Sequence, residues 1–266
     1  MKVSVNNIDI DCRDEGEGLP VIFIHAFPLN QTMWDEQVAA TSVTCRAITL
    51  DLRGFGRSGF GSSSHSIEEM ASDVRGLMKR LGIERAVLVG LSMGGYVSLA
   101  FYRNYPGSVE ALVLADTRAG ADPQEARERR FKSAEKAERE GSAAIADDMT
   151  PLLLGRSSQA TRPDLIAKTR EMIEGNSPAG IAAAQRAMAA RRDSTDLLGT
   201  INIPVLVIVG SEDSLTPPVE AEAMNRAIRG SRLEVIQRAG HLSNLEQPRL
   251  FNNALKQFIH PLEQFG

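Results

Sequence analysis

Cysteine is scarce: Cys12 and Cys45 are the only two in 266 residues, too few for a disulfide framework or a metal-ligand set. Both read as buried thiols of a reducing compartment, on early strands that could be neighbours, and whether they pair is left open. The four histidines, His25, His65, His241 and His260, stand far apart without HExxH or CxxC company, so no metal is expected. Long hydrophobic runs are also missing. Nowhere do about 20 apolar residues run together, and the opening MKVSVNNIDIDCRDEG lacks the apolar stretch of a signal peptide. Neither secretion nor membrane insertion has support, and the expected location is the cytoplasm. There is no basic excess: 30 Lys and Arg face 34 Asp and Glu, a net charge of −4. A weakly acidic surface has no electrostatic footprint for nucleic acid.

What remains is ordinary globular composition, 42% hydrophobic and 24% charged, in a length that suits one large α/β domain or two small ones. Val3 to Asp11 alternates apolar and polar around Asn6-Asn7, which predicts an opening antiparallel hairpin. Apolar runs at 21–24, 47–50 and 86–89 end at His25, Asp51 and Gly90, and further strand candidates lie at 111–115, 205–209 and 233–236. Runs this short and this β-rich suit strands buried on both faces of a parallel sheet. Between them, Ile67, Met70, Ala71, Val74, Leu77, Met78 and Leu81 recur at helical spacing after a Ser66/Glu69 capping box, with Gly82 placed to end the helix. Helix-like segments near 95–105, 219–228 and 248–259 complete an alternating β/α pattern, hence a mostly parallel sheet with helices on both faces. The stretch 118–196 breaks that alternation and predicts three or four inserted helices, a cap, against a core of 1–117 and 197–266. An insertion on the loop edge of such a sheet is where a lid over a ligand site sits.

Gly90-Leu91-Ser92-Met93-Gly94 matches G-x-S-x-G. With 22 glycines in the chain the motif alone carries modest weight. Its context adds more, because it joins an apolar strand directly to a plausible helix, the setting in which a sharp turn thrusts a serine hydroxyl out of the sheet. Glycines two residues to either side leave room for that turn. Ser92 is therefore the candidate nucleophile, and a neutral hydroxyl needs a base and an orienting acid. His241 follows the run 233–236 and Asp213 the run 205–209, so the order is Ser, Asp, His, and all three fall at one edge of the sheet. Asp116, at the end of the run 111–115, is the rival acid. Gly54, Gly56 and Gly59 spell G-x-G-x-x-G, but Ser62-Ser63-Ser64 follow in place of a helix, so a dinucleotide cofactor is rejected.

The segments VIFIHAFPLNQTMW, LDLRGFGRSG, VLVGLSMGGYVSLAF, PVLVIVGSEDSLTPP and AGHLSNLEQP, in this order, make the chain resemble an α/β-hydrolase-fold serine hydrolase over nearly its whole length. Within that group it resembles the bacterial esterases and 3-oxoadipate enol-lactonases. The resemblance implies an eight-stranded, mostly parallel sheet with the helical cap inserted before the seventh strand. It also implies an oxyanion hole from the N–H groups of Phe27 and Met93, a loop-ordering part for His25, and structural parts for Asp51 and Arg53. Where the family usually has His-Gly, this chain has His25-Ala26.

The expected reaction is cleavage of a carboxylic ester or lactone through an acyl-enzyme, on a small-molecule substrate and without metal or organic cofactor. Perhydrolysis, amide hydrolysis and carbon–carbon cleavage remain open on the same triad, as does a ligand-binding protein without turnover. Ser92 argues against dehalogenase and epoxide hydrolase chemistry, and Leu242-Ser243 against a hydroxynitrile lyase. Trp34, Leu215 and Leu242 are candidate substrate contacts, with Phe27, Leu29 and Met93 beside them. Met149, Leu152, Leu153, Leu154, Met172 and Met188 are cap candidates, and Arg118, Arg129 and Arg130 are cationic ones. No residue pattern bears on assembly.

Overall fold

Asn6 and Asn7 both take positive φ, 48° and 64°, the pair of left-handed conformations that a two-residue I′ hairpin turn demands. Strands β1 (Lys2–Val5) and β2 (Ile8–Glu15) flank the turn and pair antiparallel. The computed structural model describes residues 1–61 and 65–264. The apolar runs become β3 (Pro20–Ile24), β4 (Arg46–Leu50), β5 (Ala86–Leu91), β6 (Val109–Ala115), β7 (Val205–Gly210) and β8 (Arg232–Ile236). All eight strands form one sheet in the order β1-β2-β4-β3-β5-β6-β7-β8. It is parallel from β4 to β8, with β1 and β2 antiparallel at one edge.

The core helices are α1 (Asp35–Thr41), α2 (Ile67–Arg80) and α3 (Met93–Asn104). Six more lie between β6 and β7: α4 (Gln124–Glu140), α5 (Ser142–Leu153), α6 (Arg156–Thr161), α7 (Pro163–Glu174), α8 (Pro178–Ala190) and the single turn α9 (Thr195–Leu198). The last are α10 (Pro218–Ala227), α11 (Ser243–Glu246) and α12 (Pro248–Ile259). The inserted stretch thus holds more helices than its sequence pattern predicts. α6 has only six residues between Gly155 and Pro163, too few to display a helical period. α2 starts as expected, with Ser66 Oγ accepting the Glu69 N–H at 3.0 Å, and it ends before Gly82 at φ +69°.

Chain direction places the site. The β3–α1–β4 crossover runs towards the β1 edge, whereas those through α2 and α3 run towards β8. Right-handed crossovers therefore set α1 on the face opposite α2 and α3, and α1 packs on α12 while α2 packs on α3. β3 and β5 are neighbours whose connections depart in opposite directions. A crevice opens at the carboxyl ends of such a strand pair, where ligands bind in open α/β sheets.

Two sequence questions resolve here. Cys12 and Cys45 are free thiols, on or beside the paired strands β2 and β4 but at opposite ends of their ladder. Burial pushes each up to about 11. The glycine-rich segment after β4 wraps its own Asp51, whose carboxylate accepts the N–H groups of Gln31 and Arg57 at 2.8 and 2.9 Å. A Cβ on Gly56 would stand 2.1 Å from Asp51 Oδ2, so that glycine serves internal packing. Arg53 meets buried Asp73 at 2.6 Å. Ser62, Ser63 and Ser64 lie outside the described residues.

Candidate active site

Ser92 stands between β5 and α3 at φ 54°, ψ −110°, a conformation that costs a non-glycine residue of order 1–3 kcal/mol and persists only where the surroundings impose it. A Cβ on Gly90 would come within 2.2 Å of Gly94 O, and one on Gly94 within 2.1 Å of Ile24 O. Those glycines let the helix close onto the sheet so tightly that the serine side chain is pushed outward. Met93, the first residue of α3, sits where an N–H has no intrahelical acceptor. Phe27, after β3, borders the same cavity as Ser92.

Asp213 and His241, 28 residues apart, meet at 2.8 Å between Asp213 Oδ2 and His241 Nδ1. Both are buried. The other Asp213 oxygen accepts the N–H groups of Leu215 and Thr216, at 2.8 and 3.0 Å, and the Thr216 hydroxyl donates to Oδ2 at 2.7 Å. Burial alone would raise the Asp213 carboxyl; His241 and the Thr216 bonds outweigh it and hold the group below its usual range. Asp116 makes no such pair. Its φ is +44°, it accepts the Gly210 N–H at 2.8 Å, and it bonds the Ser243 hydroxyl. Burial, and then the neighbouring Asp213 carboxylate, push Asp116 well above the usual carboxylate range. Of the two acids, Asp213 is the one on the histidine.

His25 is fully buried. Its Nε2 accepts the Leu52 N–H at 3.0 Å, so Nδ1 carries the proton and donates to Ala26 O at 2.9 Å. The ring ties the segment after β3 to the one after β4. Ala26 takes its extra Cβ into the core without exposure.

Ser92 and His241 line one cavity of about 100 Å³ with Phe27, Tyr96, Arg118, Arg130, Met149, Leu153, Met188, Leu215 and Thr216. A larger cavity of about 400 Å³ shares Phe27, Arg118, Arg130, Met149 and Leu215 with it and adds Arg129. Leu215, a candidate from the sequence, lines both cavities. Trp34 and Leu242 are corrections. Trp34 is fully buried with its ring 5.3 Å from Phe23 and 6.0 Å from Phe251, and Leu242 is fully buried at the start of α11. Neither lines a cavity at Ser92, and Leu29 and Met172 do not either. Large apolar residues beside catalytic loops also build the core that holds those loops, and these four do that.

Several contributors escaped the sequence reading. Tyr96 lies one helical turn beyond Ser92, and the spacing alone could have suggested it. Thr216 lies three residues after Asp213, a common side-chain-to-backbone turn spacing. Glu246 carried no signal: buried, it accepts the Gly155 N–H at 2.9 Å and the Gly240 N–H at 2.7 Å, joining the inserted helices to the residue before His241. His241 N–H donates to Leu153 O at 3.1 Å, and Glu212 takes the Ser157 N–H at 2.8 Å. Asn176 performs the same function on the Phe27 side, donating to Pro28 O and accepting the Gly56 N–H at 2.8 and 2.7 Å. Among the described residues, no group of three His, Cys, Asp or Glu side chains is disposed to hold a metal ion, and no helix is long and apolar enough to cross a membrane.

This combination of doubly wound sheet, glycine-bounded serine turn and histidine–carboxylate pair defines a class. Residues 20–248 match the family model of the alpha/beta hydrolase fold, and the chain belongs to that family. A 3-oxoadipate enol-lactonase of Acinetobacter baylyi is 29% identical over 236 residues, covering 89% of this chain and 86% of its own. Among solved structures, a thermophilic esterase from Thermogutta terrifontis is 42% identical with a TM-score of 0.95, covering 99% of this chain and 98% of its own. The enol-lactonase from Burkholderia xenovorans LB400 is 30% identical with a TM-score of 0.91, covering 98% and 100%.

Proposed function

We propose that the chain is a serine hydrolase of small carboxylic esters or lactones, acting through Ser92, His241 and Asp213 and an acyl-enzyme. The observation that carries this reading is the 2.8 Å His241–Asp213 bond at a cavity whose wall also presents Ser92. Asp213 accepts a hydrogen bond from His241 Nδ1–H, which leaves Nε2 as the basic nitrogen. Ser92 Oγ attacks the substrate carbonyl carbon as its proton passes to His241 Nε2. The tetrahedral oxyanion is held by the N–H groups of Phe27 and Met93. Collapse expels the alkoxide, which takes the proton from His241; in a lactone that alcohol stays attached to the acyl chain. Water, deprotonated by the same nitrogen, then attacks the acyl-enzyme and releases the acid. Residues 118–196 act as a cap over this cavity, and 1–117 with 197–266 form the core.

Similarity to both an esterase and enol-lactonases supports the reaction class and leaves ester and lactone side by side. The test is hydrolysis of p-nitrophenyl esters from acetate to octanoate by the wild type and by folded Ser92→Ala. We expect turnover of the short esters and a loss of at least about 10³-fold in the variant. A wild type inert towards esters and lactones alike, or a variant that still turns over, would refute the proposal.

A further inference from the structure

The ionised Asp213 carboxylate offers about four acceptor positions. Four donors fill them: Leu215 N–H and Thr216 N–H on Oδ1, the Thr216 hydroxyl and His241 Nδ1–H on Oδ2. The hydroxyl differs from the two backbone donors because it shares its oxygen with the ring. It lies 2.7 Å from Oδ2 and 3.2 Å from His241 Nδ1, closing a triangle with the 2.8 Å bond between them.

Local structure holds the hydroxyl in that place. Thr216 precedes Pro217, which keeps its backbone extended, and its branched Cβ leaves χ1 few alternatives. The residue is buried, and it borders the cavity at Ser92 whereas Asp213 borders a separate cleft with Ser211, Glu212 and Ser214. A donor on Oδ2 fixes the plane of the carboxylate, so that this oxygen stays on Nδ1. It also draws charge from the oxygen that stabilises the protonated ring.

We propose that Thr216 is a positioning residue for His241 that acts through Asp213: its hydroxyl orients the carboxylate and weakens the hold of that carboxylate on the protonated ring. The proposal rests on the hydrolase reading above, in which His241 is the base.

Thr216→Val keeps the shape of the side chain and removes the hydroxyl. Oδ2 then carries more charge towards His241, the protonated ring is held more tightly, and the base form appears only at higher pH. The ionisable groups around the pair are Asp116 after β6, Glu246 on α11, and Glu212 with its partner Arg156. Arg118, Arg130 and Tyr96 border the cavity with His241, and Glu220 on α10 acts on Arg118. The substitution leaves all of them in place, so the comparison isolates the hydroxyl.

The experiment is the pH dependence of kcat and kcat/KM for p-nitrophenyl acetate with the wild type, Thr216→Val and Thr216→Ser. We expect Thr216→Val to move the acid limb of kcat/KM up by about half a pH unit or more. Its plateau kcat should fall by at least about 5-fold while KM stays within about 3-fold, because the loss falls on the base and not on the binding of substrate. Thr216→Ala shares the direction, and Thr216→Ser, which restores the hydroxyl, recovers most of both effects. An acid limb that Thr216→Val leaves in place or moves down, or one that Thr216→Ser does not recover, overturns the proposal and spares the hydrolase reading, since the ester still turns over. The downfield N–H proton signal of the His241 ring, assigned by its loss in His241→Gln, follows the same pair in NMR without substrate. A wild type inert towards esters and lactones alike sinks the hydrolase reading, and that signal then decides for Thr216: a titration that Thr216→Val moves up upholds its action on His241, and one left in place overturns it.

Discussion

Asp122→Asn removes the buried carboxylate that Arg118, Arg130 and Arg191 share, and its consequence can be worked from the surroundings of that group. The Asp122 side chain is fully buried among Arg118, Arg130 and Arg191. Burial would raise its carboxyl, but bonds from Arg191 and Arg130 overcome this and bring it from 3.8 to about 2. A carboxyl depressed in the folded state stabilises the fold fully above its unfolded value and loses that contribution as pH falls through the folded one. A shift of this size corresponds to about 2 kcal/mol at neutral pH. Asparagine also strands buried guanidinium charge, which moves the total towards the ~3–5 kcal/mol of a broken buried pair. Urea unfolding of wild type and variant from pH 7 to pH 3 is the assay. We expect a constant gap down to about pH 5 and loss of the ionisation-linked part, about half of it by pH 3, with a melting temperature at least about 5 °C lower at pH 7. A gap under about 0.5 kcal/mol at pH 7, or one that does not narrow on acidification, would refute the reasoning.

Two further outcomes follow from the same kind of accounting. Asp116 has its carboxyl raised, so the stability its protonated form contributes is fully present only below its ordinary value of 3.8 and is lost as pH rises from there through the folded value. Asp116→Asn, which keeps an acceptor for Gly210 N–H and a donor for Ser243, should come nearest the wild type at about pH 3 and gain on it as pH rises to about 9; a melting-temperature difference that does not change over that range would count against a protonated Asp116. Gly94→Ala places a Cβ 2.1 Å from Ile24 O, so the serine turn must open. Ester turnover should fall by at least about 10²-fold while circular dichroism still reports a folded chain, and near-normal turnover would mean that the turn is not under steric control.

The sheet was legible because its inner strands are buried on both faces, which leaves short uninterrupted apolar runs that no surface helix of this length displays. Ser92 was legible because its turn follows such a run directly, whereas His241 lies five residues beyond β8, a mostly exposed edge strand with Glu234 inside it. The sequence favours Asp213 and keeps Asp116 as its rival, since both follow parallel strands of the same sheet; in the structure Asp213 reaches His241 Nδ1 while Asp116 reaches Gly210 and Ser243. Trp34 and Leu242 misled for a related reason: hydrophobicity near a catalytic loop does not distinguish a side chain that faces the ligand from one that faces the core. Glu246 and Asn176 were invisible because each joins segments 91 or more residues apart, and a contact at that range leaves no local pattern.

On the proposed hydrolase reading, the division of labour between chain segments separates reaction from choice of substrate. Ser92, Asp213, His241 and the two N–H donors all sit where strands β3, β5, β7 and β8 end, so their mutual placement is set by strand register in the core. Arg118, Arg130, Met149 and Met188 stand on the insertion, outside that register. Yet the two parts are fastened through buried side chains, since Glu246 holds Gly155 and Gly240 together and Asn176 holds Pro28 and Gly56. On the proposed hydrolase reading, substitutions on the cavity side of α4, α5 and α8 therefore change which acyl or alcohol group is accepted while Ser92, His241 and Asp213 stay in place. Substitutions at Glu246 or Asn176, though they touch no substrate, act on the segments next to His241 and Phe27, and so bear on the reaction itself.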